Sequence, residues 1–420
     1  MRSSASPRRS RSDVPRLLVC YHFFHPDDVI SARMFTDLAT EQVRRGWDVT
    51  ALACNRSWSD PRARLPASEE WNGVHIRRVF RPPWDQARPT ERLANSGWML
   101  AAWFLRTLRL GRFDAIVIGS DPAFSPLGAI ALRLAYPRAA IVHWCFDLYP
   151  EAIAADGIGR TATALAPVAR KLMALAYRRY DALVDIGPRM GERLADYGSG
   201  ARQETLVPWA LAEADRPVEI DEAARRELFP RAKLALLYAG TMGRAHDFAA
   251  FLSLARACRA RSGDAVSICF AVRGNRAEEL RAAIRPEDSN VGLVDFADQR
   301  ALQGRLAAAD FHLISLGDDW AGLVVPSKFF ASLAVGRPVL YAGPADSEIA
   351  RWIGEHDLGL HLRADNVEAI ADRLHALIGN TDALARWREN ALAVYRRRWS
   401  KVVTNDRWDT LLRELVAARA

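Results

Sequence analysis

The chain has 420 residues, of which 50% are hydrophobic and 26% are charged. This length predicts two domains, and the composition excludes a wholly disordered or collagen-like chain. The formal net charge is +8 at pH 7, which favours anionic partners such as phosphates, anionic lipids or nucleic acid. Nearly all basic residues are arginines, and the lysines are Lys171, Lys233, Lys328 and Lys401.

The first residues, 1–14, are rich in Arg and Ser and lack the apolar segment of a secretory signal, so we predict a disordered basic tail. No run of 18 apolar residues predicts a membrane-spanning helix. The five cysteines form no Cys-x-x-Cys pair, so each is expected to be a buried reduced thiol. These features favour a cytoplasmic location.

Short apolar runs then alternate with amphipathic stretches, which predicts parallel sheets with helices on both faces. In residues 15–212 the predicted strands are Leu17–Cys20, Val49–Ala53, Val74–Val79, Ala115–Gly119, Ala140–Trp144 and Ala182–Ile186. A helix is predicted over Leu165–Tyr177 within the same part of the chain. The charged stretch 213–232 contains two prolines and is predicted to connect this domain to a second one.

The same rhythm restarts in residues 233–380. The predicted strands are Leu234–Ala239, Val266–Ala271, Val291–Val294, Phe311–Ser315, Pro338–Tyr341 and Leu358–Leu360. The predicted helices are Phe248–Arg259, Arg276–Ile284, Gln299–Ala308, Ser327–Val335 and Val367–Ile378. Residues 381–420 are predicted to be helical without a further strand. The sequence therefore predicts two doubly wound α/β domains that face each other across a cleft, followed by a C-terminal helical segment.

The first candidate phosphate-binding motif is Tyr238-Ala-Gly-Thr-Met-Gly-Arg-Ala-His246, which lies between a strand and a helix. Gly240 and Gly243 permit a tight turn and a close approach of the backbone to a ligand. The start of the following helix and the charge of Arg244 suit a diphosphate. An ordinary strand-to-helix turn with a surface arginine is the alternative interpretation.

Two further motifs lie at the ends of predicted strands. In Ala271–Leu280, Gly274 occupies the edge at which open α/β sheets bind ligands, although an ordinary turn is equally consistent. In Gly322–Val339, Pro326 and Ser327 mark a helix start, and the N-terminus of that helix bears Ser327 and Lys328. Ser327 is predicted either to cap that helix or to donate to a phosphate, and Lys328 either to bind phosphate as a point charge or to lie on a solvated surface.

These motifs resemble family 4 glycosyltransferases of the GT-B fold, in the bacterial surface-polysaccharide branch that contains L-fucosamine-type and colanic-acid-type transferases. The most specific matches are Asp147-Leu-Tyr-Pro-Glu151, Tyr238–Arg244 and Val325–Val339, and the resemblance extends from Arg16 to the C-terminal helix. It implies a Rossmann-like acceptor domain at 15–212 and a Rossmann-like nucleotide-sugar domain at 233–380. It also implies a UDP- or GDP-sugar donor, no cofactor, and transfer with retention of anomeric configuration.

The resemblance places Arg244 on the donor diphosphate, and Lys328 is a candidate for the second positive charge. Many family members carry a Glu-x7-Glu pair, but the corresponding positions here are Leu323 and Ala331. No Asp-x-Asp triplet occurs in the chain, and Arg244, Lys328 and helix dipoles can stabilise the leaving diphosphate. We therefore predict metal-independent transfer, with no metal ligands.

On the acceptor side, Asp147 is the leading candidate for orienting the acceptor or removing its proton, and a helix or loop cap is its alternative role. His143, four residues earlier, is either a site residue or a core histidine. His22 and His25 end the first strand, where family members often have a glycine-rich acceptor loop. These two histidines are weaker candidates for the acceptor site.

An aromatic and basic segment runs from Trp98 to Arg112. It is predicted either to pack in the core or to meet anionic lipid, because aromatic and basic residues suit the headgroup layer. The implied acceptor is a polyprenyl-linked or other glycan. The corresponding location is peripheral, on the inner face of the cytoplasmic membrane.

Three other functions remain open from the sequence. A nucleotide-sugar epimerase of similar shape would need a catalytic pair of carboxylates in the cleft, and none is evident. A degenerate protein that binds nucleotide or scaffolds an assembly complex is favoured by the missing Glu-x7-Glu pair. Nucleic-acid binding is disfavoured because the arginines are spread along the chain and no nucleic-acid module is recognisable.

Overall fold

The computed structural model describes residues 14–85, 88–155, 160–274, 276–296 and 299–420. The predicted basic tail, apart from residue 14, lies outside these ranges. By its contacts the chain forms two compact units. The first unit extends to Val207 and also includes Asn405–Ala420, and the second unit is Pro208–Thr404. The predicted connection at 213–232 lies within the second unit.

The secondary structure is as follows. The strands are β1 (Arg16–Cys20), β2 (Asp48–Cys54), β3 (Ser68–Trp71), β4 (Val74–Val79), β5 (Ala115–Gly119), β6 (Ala140–Trp144), β7 (Ala182–Asp185), β8 (Arg202–Thr205), β9 (Leu234–Thr241), β10 (Val266–Arg273), β11 (Val291–Asp295), β12 (Phe311–Ser315), β13 (Val339–Ala342) and β14 (Gly359–Leu362). The α-helices are α1 (Ile30–Arg44), α2 (Pro89–Thr107), α3 (Gly128–Ala135), α4 (Glu151–Ala155), α5 (Arg160–Tyr177), α6 (Pro188–Ala195), α7 (Glu222–Leu228), α8 (Ala249–Ser262), α9 (Ala277–Ala283), α10 (Gln299–Ala307), α11 (Lys328–Ala334), α12 (Glu348–His356), α13 (Val367–Ala376), α14 (Thr381–Arg398) and α15 (Lys401–Ala417).

The first unit is built on a sheet with the strand order β3-β4-β2-β1-β5-β6-β7-β8. Its neighbouring strands are parallel except for β3 and β4, which are antiparallel. The order of the strands reverses between β1 and β5, and such a switch point opens a crevice at the carboxyl ends of the strands. All six strands predicted in this part are confirmed. Strands β3 and β8 were not predicted because their residues are polar and largely exposed at the two sheet edges.

The second unit contains a parallel sheet with the order β11-β10-β9-β12-β13-β14. Alternate residues of β9 face opposite sides: Leu234 and Leu236 pack in the core that includes α8 and α13, whereas Ala235 and Leu237 pack toward α7. Helices therefore cover both faces, as parallel sheets require. The six strands predicted here are confirmed, and the switch point lies between β9 and β12.

The last residues of the chain pack on the first unit. Trp408 of α15 is fully buried, with its ring centroid 5.0 Å from that of Trp144 in β6. The indole nitrogen of Trp47 donates a hydrogen bond of 2.8 Å to Asp409. These contacts explain why Asn405–Ala420 belong to the first unit, although they follow the second unit in sequence. Within the described ranges, no helix combines the length and apolar character needed to cross a bilayer.

Candidate donor and acceptor sites

The predicted donor-site residues lie at the carboxyl ends of neighbouring strands in the second unit. Gly240 lies near the end of β9, Gly274 directly follows β10, and Lys328 begins α11 after the loop that leaves β12. The structure brings Lys328 against β9 at the switch point, although the two segments are distant in sequence. This edge is where ligands of doubly wound sheets bind.

The ammonium group of Lys328 has an unusual environment. Its Nζ donates to the hydroxyl of Tyr238 at 2.8 Å and to the backbone oxygen of Thr241 at 3.2 Å, and it lies 3.9 Å from the centre of the tyrosine ring. Among the described residues its partners are thus a phenol and a carbonyl rather than a carboxylate. Burial lowers the pKa of Lys328 to about 7. An anion at this position would restore the charged form.

Two glycines in this region have structural roles that a side chain would disrupt. Gly240 has a φ of +133°, and a Cβ atom there would lie 2.6 Å from Cε of Lys328. Gly274 has a φ of +120°, and a Cβ atom there would lie 2.6 Å from the backbone oxygen of Met242. By contrast, a Cβ atom on Gly243 would meet nothing within 4 Å. Gly240 therefore provides the space that Lys328 occupies.

The loop 242–247 is held in place by two side-chain hydrogen bonds. His246 donates from Nδ1 to the backbone oxygen of Ser315 at 2.8 Å, and the guanidinium of Arg276 donates to the backbone oxygen of His246. Burial and the nearby charge of Lys328 lower the pKa of His246 to about 4. His246 is therefore neutral near pH 7 and adds no second positive charge beside Arg244. Arg276 lies within the second predicted motif, and sequence reasoning did not single it out.

The other predicted donor-site residues border this loop. Arg244 is exposed on the loop, between Gly243 and His246. Ser327 is half-buried directly before α11, and its side chain does not cap that helix, which excludes one of its two predicted roles. At the positions of the missing carboxylate pair, Leu323 is buried and Ala331 lies within α11.

In the first unit, Asp147 follows β6 and is half-buried. Its backbone N–H donates to the hydroxyl of Ser120 at 3.1 Å, as does that of Phe146, so the loops after β5 and β6 are tied together. Burial, with a smaller contribution from Asp121, raises the pKa of Asp147 to about 6. The carboxyl group can thus gain or lose a proton near neutral pH.

Sequence reasoning missed Asp121, which directly neighbours this arrangement. Its Oδ2 accepts a hydrogen bond of 3.1 Å from Nδ1 of the buried His22. The signal was available, because Asp121 closely follows the apolar strand β5, and polar residues there reach the ligand-binding edge of a parallel sheet. It was overlooked because no motif marks it.

The remaining histidine candidates have other surroundings. His143 is fully buried in β6 and donates from Nδ1 to the backbone oxygen of Ile118 at 2.9 Å, and burial lowers its pKa to about 4. It is therefore the core histidine of the two alternatives. His25 stacks on Trp71 with ring centroids 3.6 Å apart, and it takes no part in the hydrogen bond between His22 and Asp121.

Comparison with known proteins agrees with this geometry. Residues 31–210 match the model of the glycosyl transferase 4-like domain. The probable glycosyltransferase WbjE of Pseudomonas aeruginosa is 26% identical over 275 residues, which cover 63% of this chain and just under two thirds of that relative, 66%.

Solved structures show the same fold. Sucrose-phosphate synthase from Thermosynechococcus elongatus has a TM-score of 0.72 at 14% identity, covering 96% of this chain and 100% of that chain. HepE of Anabaena, solved in complex with UDP, has a TM-score of 0.64 at 13% identity, covering 96% of this chain and 100% of that chain.

These matches confirm the predicted fold class and the predicted resemblance: the chain has the GT-B fold, and residues 31–210 are similar to the glycosyl transferase 4-like domain. The domain match and the curated relative also support the prediction that the protein is a glycosyltransferase.

The contact between Gly240 and Lys328 makes a prediction for stability. Gly240→Ala should lower the free energy of unfolding by about 1–3 kcal/mol, because alanine is strained at this φ and its Cβ displaces the lysine. Gly243→Ala, which adds a methyl group in open space, should change it by less than about 0.5 kcal/mol. Denaturant unfolding measures both, and equal losses in the two variants would contradict the assigned role of Gly240.

Proposed function

We propose that the protein transfers a sugar from a nucleotide-diphosphate sugar, with UDP or GDP as the nucleotide, to a lipid-linked or surface-glycan acceptor. The domain match and the curated relative support the reaction class. The observation that carries the proposal is the ammonium of the half-buried Lys328, which lies at the switch point without a carboxylate among its described partners. That HepE has been solved with UDP agrees with a nucleotide donor.

In this proposal Arg244 and Lys328 hold the donor diphosphate. Gly240 leaves room for Lys328, Gly274 leaves room for the backbone of Met242, and Gly243 allows the loop backbone to approach the diphosphate. The hydroxyl of Ser327 donates to a phosphate oxygen. Positive charge stabilises the anion that develops as the bond between sugar and diphosphate breaks. The two cationic side chains thereby perform the task that a metal ion performs elsewhere, and no cofactor is needed.

The acceptor hydroxyl is oriented by Asp147 in the same proposal. The oxygen of the acceptor hydroxyl bonds to the anomeric carbon as the nucleoside diphosphate leaves from the same face. The configuration of that carbon is therefore retained without a covalent intermediate. The hydroxyl proton passes to the departing diphosphate or to Asp147. The pKa of Asp147, which burial raises to about 6, suits a group that exchanges a proton near neutral pH.

A protein that only binds the nucleotide is the second candidate. It is favoured by Leu323 and Ala331, which replace the carboxylates that many family members carry. This candidate predicts that a nucleotide sugar binds to the protein without being cleaved. The proposed transferase predicts that water slowly replaces the acceptor, which releases free sugar.

Donor hydrolysis therefore tests the function. Wild-type protein incubated with UDP- and GDP-sugars should release nucleoside diphosphate, and Arg244→Ala should slow this release at least about 100-fold, as loss of a charge-stabilising donor typically does. Arg226→Ala removes an exposed arginine of α7 and should retain the wild-type rate. A metal chelator should have no effect.

Chromatographic detection of the released nucleotide measures all four reactions. Binding without release by the wild type would favour the nucleotide-binding candidate. Loss of release with the chelator would contradict metal independence.

Lys328 predicts a pH dependence for donor binding. The lysine is charged below its pKa of about 7, and a bound diphosphate favours that form, so affinity should be highest below pH 7 and should decrease as the proton is lost. The limiting decrease is about tenfold per pH unit. His246, with a pKa of about 4, stays neutral over this range.

Calorimetric titration with a UDP- or GDP-sugar at pH 6, 7 and 8 measures this dependence. The sugar ester removes the titration of a terminal phosphate. Lys328→Met should bind more weakly and with no dependence on pH. A wild-type affinity that is constant between pH 6 and 8 would contradict the assignment of Lys328 to the diphosphate.

The first unit also has a surface that suits an anionic membrane. Helix α3 packs beside α2 and α5, and these three helices expose the large apolar residues Leu105, Leu134, Val168, Leu172 and Leu175, with Leu134 82% exposed. Exposed basic residues accompany them, including Arg109, Arg112, Lys171 and Arg178. Within the aromatic segment, Trp103 is buried in the core, whereas Trp98 is exposed and donates from its indole nitrogen to the backbone oxygen of Phe80. We include peripheral binding to anionic lipid in the proposal.

Vesicle sedimentation tests this surface. The wild type should bind phosphatidylglycerol vesicles at low ionic strength and release them at high salt, and should not bind phosphatidylcholine vesicles. Leu172→Glu should weaken binding about tenfold, because burial of a leucine contributes about 1.5–3 kcal/mol. Val402→Glu, on an exposed apolar residue of the second unit, is the matched control. Equal binding to both lipids or equal loss in both variants would contradict the proposal.

A further inference from the structure

At the switch point of the first unit, a hydrogen-bond network links Arg81, Asn95, His22 and Asp121. His22 lies just after β1, and Asp121 lies just after β5. These two strands are neighbours at the position where the strand order reverses. The carboxyl ends of such strands form the ligand-binding crevice of a doubly wound sheet. Asp121, the last member of the network, therefore lies where a ligand of this unit is expected.

The first hydrogen bond of the network determines which atoms donate and which accept in the next one. Arg81 donates from Nε to Oδ1 of Asn95 at 2.9 Å, and Nδ2 of Asn95 lies 3.3 Å from Nε2 of His22. Arginine can only donate, so the amide oxygen must face Arg81 and the amide nitrogen must face His22. In the neutral imidazole Nε2 accepts from Asn95, and Nδ1 carries the proton that is donated to Asp121 at 3.1 Å. Burial lowers the pKa of His22, but the neighbouring Asp121 more than offsets this and raises it to about 9; in the charged imidazole Nδ1 still donates to Asp121, whereas Nε2 no longer accepts from Asn95.

Burial shows which member of the network meets solvent. Arg81 and His22 are each 1% exposed and Asn95 is 0% exposed, whereas the side chain of Asp121 is 36% exposed. Three buried polar side chains thus support one carboxylate whose other oxygen is available at the crevice. Burying such groups is costly unless each is hydrogen-bonded, so the network defines one orientation of the carboxylate.

A second carboxyl group lies beside the first. The hydroxyl of Ser120, the residue before Asp121, accepts from the backbone N–H of Asp147, and the charge of Asp121 contributes to the raised pKa of Asp147. The carboxyl groups of Asp121 and Asp147 can both accept hydrogen bonds, and that of Asp147 can also donate one when it is protonated. Sugar hydroxyls both donate and accept hydrogen bonds, so this pair matches their chemistry.

We propose that the carboxylate of Asp121 binds a hydroxyl group of the acceptor sugar, and that His22, Asn95 and Arg81 are positioning residues that fix its orientation. The inference rests on the proposed function in assigning the bound sugar to the acceptor, because the donor is assigned to the second unit. Asp121→Asn keeps the size of the side chain but removes the charge that accepts from the sugar. Asn95→Ala removes the amide group that contacts Nε2 of His22, and Asn95 itself has no contact with the sugar in this proposal.

Saturation-transfer NMR with a panel of octyl glycosides tests this site on the full chain. The wild type should bind at least one glycoside, Asp121→Asn should weaken that binding at least tenfold, and Asn95→Ala should weaken it by a smaller factor. Asp28→Asn changes an exposed carboxylate in the loop after β1 and should bind as the wild type does. Equal binding by Asp121→Asn and the wild type would overturn the inference, as would a wild type that binds no glycoside.

Thermal shifts with UDP- and GDP-sugars on the same samples separate this inference from the proposed function. The proposed function predicts an equal donor-induced shift in the wild type, Asp121→Asn and Asn95→Ala. If no nucleotide sugar shifts the wild type while glycoside binding depends on Asp121, the donor assignment fails and the sugar site stands. If the donor shift is present and Asp121→Asn binds glycosides normally, the sugar site fails alone. A lower melting temperature with unchanged glycoside affinity in Asn95→Ala would reduce His22, Asn95 and Arg81 to a structural role.

Discussion

The contact between the ammonium of the half-buried Lys328 and the ring and hydroxyl of Tyr238 is the interaction from which the chemistry of the second unit follows. A cation in such surroundings loses hydration that a phenol and a carbonyl replace only in part, which is why its pKa decreases to about 7. The fold supports this arrangement at a further cost, since Gly240 adopts a positive φ and leaves no room for a Cβ atom. A diphosphate anion would supply the missing negative charge, which explains a desolvated lysine at this position as part of a binding site.

The two units use one topological device for two different chemistries. In each sheet the strand order reverses beside the first strand of the unit, so that loops from both sides of the reversal meet at the carboxyl edge. In the second unit those loops carry Lys328 and Arg244. His246, two residues after Arg244, is neutral because its pKa is lowered to about 4. In the first unit they present the carboxyl groups of Asp121 and Asp147. Cationic groups suit a diphosphate and carboxyl groups suit sugar hydroxyls. A glycosyltransferase needs both kinds of site, one for the donor and one for the acceptor.

The sequence was sufficient for the sheets because strands such as β1, β5, β6 and β12 are short apolar runs that are buried on both faces. It was insufficient for β3 and β8, whose polar residues lie at sheet edges, and for α7, which lies in a charged stretch that resembled a linker. The assignment of Asn405–Ala420 to the first unit depends on the burial of Trp408 against Trp144, and no local pattern encodes such a contact.

The candidate sites show the same limit. Gly240, Gly274 and Lys328 were singled out by their positions after strands, but the contact between Lys328 and Tyr238 joins residues 90 positions apart. Asp121 was missed because its partner, His22, is 99 positions away and neither belongs to a motif. Only the paired strands β1 and β5 bring them together. Local sequence thus locates the binding edges of the sheets, whereas the side chains that meet there follow from the order of the strands.

NMR titration of lysine side chains tests the central claim most directly. The chain has four lysines, Lys171, Lys233, Lys328 and Lys401, so labelled ε-carbons give few signals, and three of them serve as internal references. The account predicts that one signal, absent in Lys328→Met, titrates near pH 7 in the free protein and above pH 9 when a nucleotide sugar is bound. A Lys328 pKa that is the same in the free protein and in the saturated complex would contradict the claim that this lysine binds the donor diphosphate.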